Sequence, residues 1–177
     1  MFAFLQKKIA VPQQSLASAC AWDYYEGWLA IGASEGFLKL IKLDTLKTAS
    51  GGSTGNESAD LPNHQGNITL IVWNEKYRKL TTCDSTGTII VFMKYNGQWV
   101  EEMVNNRKAS FVRDMRWSPD GTKICIAYED GNVIVGGVEG NRKWGKEYPH
   151  KVSIISWAPS SKEILIGTNL GEVIMYD

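Results

Sequence analysis

Two histidines, three cysteines and a few acidic pairs are the residues of this chain that could do chemistry. A histidine beside a carboxylate would serve acid–base catalysis, Cys and His at zinc spacing would hold a metal, and a Gly-rich loop followed by Lys and a helix would cradle phosphate. His64 and His150 precede Trp73 and Trp157 by nine and seven residues, a recurrence that assigns them to neighbouring turns. Cys20, Cys83 and Cys125 stand singly, and no Cys or His pair has zinc spacing. Gly51-Gly52-Ser53-Thr54-Gly55 lacks the lysine. Glu101-Glu102 and Glu129-Asp130 fall on outer strands or turn tips, with no second acidic group fixed opposite them. The sequence therefore predicts no catalytic residue, no metal site and no cofactor.

The elements that carry these residues are repeated. Trp22, Trp73, Trp117 and Trp157 are each followed fourteen positions later by glycine, at Gly36, Gly87, Gly131 and Gly171. An aliphatic residue stands seven after each Trp (Leu29, Leu80, Ile124, Ile164). The spacing of the tryptophans is near the period of a four-stranded propeller blade. In the third unit Phe111 to Trp117 reads as a strand and Ser118-Pro119-Asp120-Gly121 as a turn. Ile124 to Tyr128 follows, then the hairpin signal Asp130-Gly131, then Val133 to Gly137 and an outer strand at Arg142 to Tyr148. Leu29 and Ile31, like Ile124 and Ile126, alternate as period-2 burial requires. Runs such as Thr88 to Phe92 suit a strand covered on both faces. No helical stripe is present. The expected fold is an all-β propeller, incomplete, with blades near residues 12–62, 63–105, 106–148 and 149–177.

Within the first unit, the polar and Gly-rich stretch predicts a mobile surface loop over residues 44–66, replacing or preceding the outer strand of that blade. Phe2 to Val11 reads as a strand lent to the last blade, the usual way a propeller closes. Three blades and three strands of a fourth do not close a ring, so the chain is expected to be the first part of a longer protein and to expose two apolar blade faces.

Recognition by aromatic side chains is the chemistry that remains. Trp28 stands where the other units carry Lys79, Lys123 and Glu163, on a face that otherwise carries charge, so it is a candidate interface anchor, with cover by Tyr24 or Tyr25 of its own turn as the competing role. Trp99 and Trp144 recur on outer strands, 26 and 27 residues after their unit's Trp. They are candidate contact residues too, with packing against the next blade as the competing role. The four repeat tryptophans are expected in the core. Nineteen basic and nineteen acidic side chains cancel, which excludes a general nucleic-acid surface. Lys7-Lys8 and the cluster Arg142, Lys143, Lys146, His150 and Lys151 read as solvated faces. No stretch has signal-peptide form or the length of a membrane span. The odd, scattered cysteines read as reduced, half-buried thiols of a cytosolic protein.

The units resemble WD repeats in His64-Gln-Gly-Asn-Ile68 with Trp73 beyond, in Trp117-Ser-Pro-Asp-Gly121, and in Tyr176-Asp177 at the place of the terminal Trp-Asp. No unit keeps that dipeptide, and the hairpin Asp is intact only at Asp130, which puts the usual side-chain tetrad in doubt. Met1 to Pro12, Trp73 to Thr82, Glu101 to Arg107 and Lys123 to Lys146 are similar to the intraflagellar transport protein 121 (WD repeat-containing protein 35) family. That resemblance implies the opening half of a seven-bladed propeller in a scaffold subunit of intraflagellar transport complex A. The implied partners are the other subunits of that complex, a tubby-like adaptor and membrane cargo. The implied place is the cilium or flagellum, its base and the cytoplasm. Tyr24 to Ala30 is shared with tubby-like protein four, for which the implied role is a substrate adaptor in ubiquitin ligation.

Overall fold

A computed structural model of the chain describes residues 9, 11, 15–42, 57–108 and 110–177. These form four antiparallel meanders. Blade 1 comprises β1 (Ala17–Trp22), β2 (Trp28–Ala33), β3 (Leu38–Lys42) and β4 (Ser58–Asp60). Blade 2 comprises β5 (Ile68–Asn74), β6 (Lys79–Asp84), β7 (Thr88–Tyr95) and β8 (Gln98–Asn106). Blade 3 comprises β9 (Val112–Trp117), β10 (Lys123–Tyr128), β11 (Asn132–Gly137) and β12 (Arg142–Glu147). Blade 4 comprises β13 (Val152–Trp157), β14 (Ile164–Thr168) and β15 (Val173–Tyr176). Each sheet pairs its strands in chain order, which is the arrangement of β-propeller blades.

The recurring Trp lies at the end of the first strand of its blade, or one residue before it in blade 2, and pairs with the aliphatic residue seven positions on: Trp22 with Leu29, Trp73 with Leu80, Trp117 with Ile124, Trp157 with Ile164. In blades 2 and 3 the second strands differ from the expected half-buried alternation, whereas β14 of blade 4 keeps it. Every residue of β6 is buried, including Thr81 and Thr82, and Cys125 and Ala127 are as buried as Ile124 and Ile126. Blades 2 and 3 have a neighbour on each side, so the two faces of their second strands meet two different blades and neither meets water. The alternation of residue types marks which blade is faced.

The loop expected over residues 44–66 ends earlier than that. Ser58–Asp60 form the outer strand of blade 1, paired with β3 through Leu40 and Ala59. Beyond it Leu61 is buried in the apolar cluster of blades 1 and 2, its amide donating to the Leu38 carbonyl at 2.9 Å, and His64 is buried as well. An apolar side chain and a twice-bonded imidazole hold this end down. Residues 43–56 lie outside the described residues, as does the Phe2–Val11 segment apart from Ile9 and Val11.

Candidate protein-contact surfaces

Trp28 is not on the surface. It is 1% exposed, packed between blades 1 and 2. The edge of Trp99 meets it at 5.7 Å between ring centroids, and the Lys94 and Lys42 ammonium groups stand 4.8 and 5.7 Å from its ring. Its Nε1–H donates to Glu26 Oε2 at 3.3 Å. The charged residues that occupy this register elsewhere do not mark a solvent face: Lys79 is also buried, paired with Glu102 at 2.6 Å. The expected anchor is a core residue ringed by the stems of two lysines.

Trp99 and Trp144 are half-buried, and they point opposite ways. Trp99 stacks edge-on against Trp28 and against Trp73 of its own blade, so it packs towards the preceding blade. Trp144 lies 5.3 Å from Tyr176 and packs towards the following one. The cause is register: they stand opposite inner-strand residues 21 and 18 positions after the repeat Trp, and an odd offset along a strand puts a side chain on the other face. Trp99 pairs opposite Lys94, whereas Trp144 pairs opposite Val135. The Trp99 indole N–H is buried without a hydrogen-bond partner among the described residues.

The histidines also part company. His64 Nδ1 lies 2.9 Å from Asp84 Oδ2 and its Nε2 2.7 Å from Thr82 Oγ1, all three side chains in the protein interior. Burial pushes the Asp84 carboxyl up, but hydrogen bonds from Thr86 and His64 and from the Thr86 and Thr88 amides outweigh it, and the group is held down at about 2. This polar cluster of blade 2 stands where the sequence put the tetrad in doubt, because Asp84 lies two residues before the register that Asp130 holds in blade 3. His150 is exposed and does not repeat the arrangement. Tyr148, nine residues before Trp157 as His64 is before Trp73, occupies that register and is buried.

Three of the four repeat tryptophans tie their blade to the one before. Trp73 Nε1 donates to the Ala21 carbonyl at 3.2 Å, Trp117 Nε1 to Thr81 Oγ1 at 3.0 Å, and Trp157 Nε1 to the Arg116 carbonyl at 3.0 Å. These three are half-buried; Trp22 is 43% exposed and departs from its expected core placement. Residues of the first strands add further ties. Ser18 Oγ donates to the Ile68 carbonyl at 2.5 Å, and Asp114 Oδ2 accepts the Ile155 amide at 3.0 Å. Ser18 and Asp114 thus hold neighbouring blades together.

Among the described residues, exposed apolar side chains include those on a face of blade 4 and of blade 1. Ile154, Leu165, Val173 and Met175 are exposed, and strand pairing places them on one face of blade 4. Leu16 and Trp22 are exposed on blade 1. Among the described residues no cluster of three His, Cys, Asp or Glu could hold a metal, and no helix is long and apolar enough to cross a membrane. The thiols are not half-buried as expected: Cys20 is exposed, while Cys83 and Cys125 are buried. Burial pushes the Cys83 thiol up to about 12 and Cys125 higher, so both stay protonated and unreactive.

Comparison with known proteins agrees with this architecture. The family model described as WDR35/TULP4 N-terminal matches residues 1–177. Human WD repeat-containing protein 35 is 44% identical over 184 aligned residues, covering 100% of this chain and 16% of that protein. Human Tubby-related protein 4 is 38% identical over 161 residues, covering 89% of this chain and 10% of that protein. The chain thus spans about a sixth or less of the length of these relatives. Among solved structures, a chain of the Mitotic Checkpoint Complex superposes with a TM-score of 0.75 at 16% identity, covering 94% of this chain and 49% of that one. The C-terminal WD40 domain of Sif2 gives 0.71 at 15% identity, with 93% and 46% covered. At that identity the structural likeness speaks to fold alone.

Proposed function

Because this chain belongs to the WDR35/TULP4 N-terminal propeller family, we propose that it is part of a non-enzymatic scaffold subunit of intraflagellar transport complex A. In this reading the propeller mediates protein–protein contacts in retrograde ciliary transport, in the entry of membrane proteins into the cilium and in cilium assembly. Its partners are the other subunits of the complex, with a tubby-like adaptor and membrane cargo beyond them, and it works in the cilium, at the ciliary base and in the cytoplasm. The observation that carries the reading is the likeness to WD repeat-containing protein 35 along the whole chain.

The geometry is compatible with a scaffold. Blades joined by indole and carboxylate hydrogen bonds form a stiff body, and stiff surfaces bind without a large ordering cost. Two polar groups of the first strands, Ser18 and Asp114, are taken up by these ties.

The test is affinity purification of the tagged full-length protein from ciliated cells, with imaging of the same tag. Co-purification with complex A subunits and a signal in the cilium support the proposal. Recovery of ubiquitin-ligase subunits in their place, with no ciliary signal, would overturn it.

A further inference from the structure

The junction between blades 2 and 3 lacks a side chain that the other junctions have. Nineteen positions after the repeat Trp stand Ile41, Phe92, Gly136 and Tyr176. Phe92 and Tyr176 pack into the junctions with blades 1 and 3 respectively, whereas Gly136 contributes nothing to the junction with blade 2. The outer strand of the preceding blade does not compensate. Trp144 fills the blade 3–4 junction from opposite Val135, but in the same register Met103 stands opposite Val91. A cavity of about 180 Å³ results, walled by Val91, Trp117, Ile124 and Ile134 among others.

That space is not closed by backbone. A Cβ built on Gly136 would meet Ile124 Cγ2 at 3.5 Å and the Asn141 carbonyl at 3.8 Å, ordinary contacts that leave the direction of a side chain open. The volume exceeds the roughly 150 Å³ of an apolar cavity known to admit benzene. Asn105, Gly140 and Arg142 line the cavity and are exposed, so it reaches the rim of the blades. Met103, a flexible thioether, lies across the entrance against Gly140 and can swing aside. Arg142 at the mouth and the adjoining Lys143 make no ion pair among the described residues, and Glu139 is the acidic residue of the connecting turn.

We infer that this cleft is a docking site for an acidic peptide segment of a partner protein, which inserts one phenylalanine side chain where Gly136 leaves the repeat unfilled. The ring takes the place that Phe92 and Tyr176 fill in their own junctions. Carboxylates flanking it meet the free Arg142 guanidinium, whose planar donors suit them. The inference stands on the cavity and its charge and is independent of the ciliary assignment.

The test is fluorescence anisotropy on the intact protein with a short dye-labelled peptide carrying one Phe flanked by Asp residues. Saturable binding is expected, weakened at least about tenfold by Phe→Ala in the peptide, the loss that removing a buried ring implies. Gly136→Phe fills the cleft from inside and produces the same loss with an unchanged far-UV spectrum. Met103→Trp fills it from the opposite wall and serves if the first variant does not fold. Arg142→Gln weakens the acidic peptide but not one with Asn in place of Asp. Absence of saturable binding, or equal binding by both filled variants, would overturn the inference and leave the cleft a packing void.

Discussion

The indole N–H of Trp73 donates to the carbonyl oxygen of Ala21 at 3.2 Å, across the boundary between blade 2 and blade 1. Trp157 makes the same bond to Arg116 one pair of blades further on. The acceptor is in both cases the residue preceding the neighbouring blade's own Trp. The tryptophans that define the repeat therefore also set how one repeat sits on the next.

Trp73→Phe keeps the aromatic bulk but removes this donor and leaves the Ala21 carbonyl without its partner. A loss of about 1–3 kcal/mol in unfolding free energy is expected, read from urea denaturation. Trp22→Phe provides the contrast, since that indole is 43% exposed and makes no such bond among the described residues. Its effect should stay within about 0.5 kcal/mol. Equal losses at the two positions would show that the bond contributes nothing.

Trp28→Ala tests the correction made to the sequence reading. Removing a 1% exposed indole from between Trp99, Lys42 and Lys94 opens a cavity in the junction of blades 1 and 2. A loss of about 3–5 kcal/mol is expected in the same denaturation experiment. A fully stable variant with only impaired partner binding would restore the surface-anchor role.

The Trp-to-Gly spacing was legible because it is written four times, and with it came the strands and the hairpins. What lay beyond reach was which blade each side chain faces. Trp99 and Trp144 differ by one position in their repeats, and irregularities at Val91/Phe92 and Val135/Gly136 decide how outer strands register. Such slips cost nothing in composition yet reverse a face. Trp28 was misplaced for a related reason: its cover comes from Trp99, distant in sequence. The Asp84 cluster was missed because its carboxylate sits two residues before the expected place, and only the fold brings His64 to it. Gly136 was visible as a departure, but a missing side chain becomes a cleft only once the facing residue is known to be Met103.

Asp84 makes stability depend on acid. Its folded value near 2 lies below the ordinary 3.8, so the folded state favours the carboxylate. That contribution is fully present above 3.8 and is lost as pH falls through about 2. Urea midpoints followed across that window should drop, with on the order of 1–2 kcal/mol attributable to this group. Asp84→Asn should be less stable at neutral pH and show a flatter dependence. A variant as steep as the parent would remove Asp84 from the explanation.

Two glycines with the same backbone twist should respond differently to an added methyl group. Gly131 has φ +87° and Gly97 φ +80°, so alanine is strained at both. That strain alone costs about 1–2 kcal/mol. At Gly97 a Cβ would meet nothing within 4 Å, and the strain is the whole effect. At Gly131 it would lie 2.3 Å from the Tyr148 carbonyl and 3.0 Å from that of His150. Those are backbone atoms leading from β12 into blade 4, and the Tyr148 amide donates back to the Gly131 carbonyl at 2.9 Å. The chain cannot yield there without breaking this bond and shifting the buried Tyr148 ring. Gly131→Ala should therefore cost on the order of 3 kcal/mol or more, and Gly97→Ala no more than the strain, in parallel denaturant titrations. Equal losses would mean that the crossing between blades 3 and 4 is softer than the close approach at Gly131 implies.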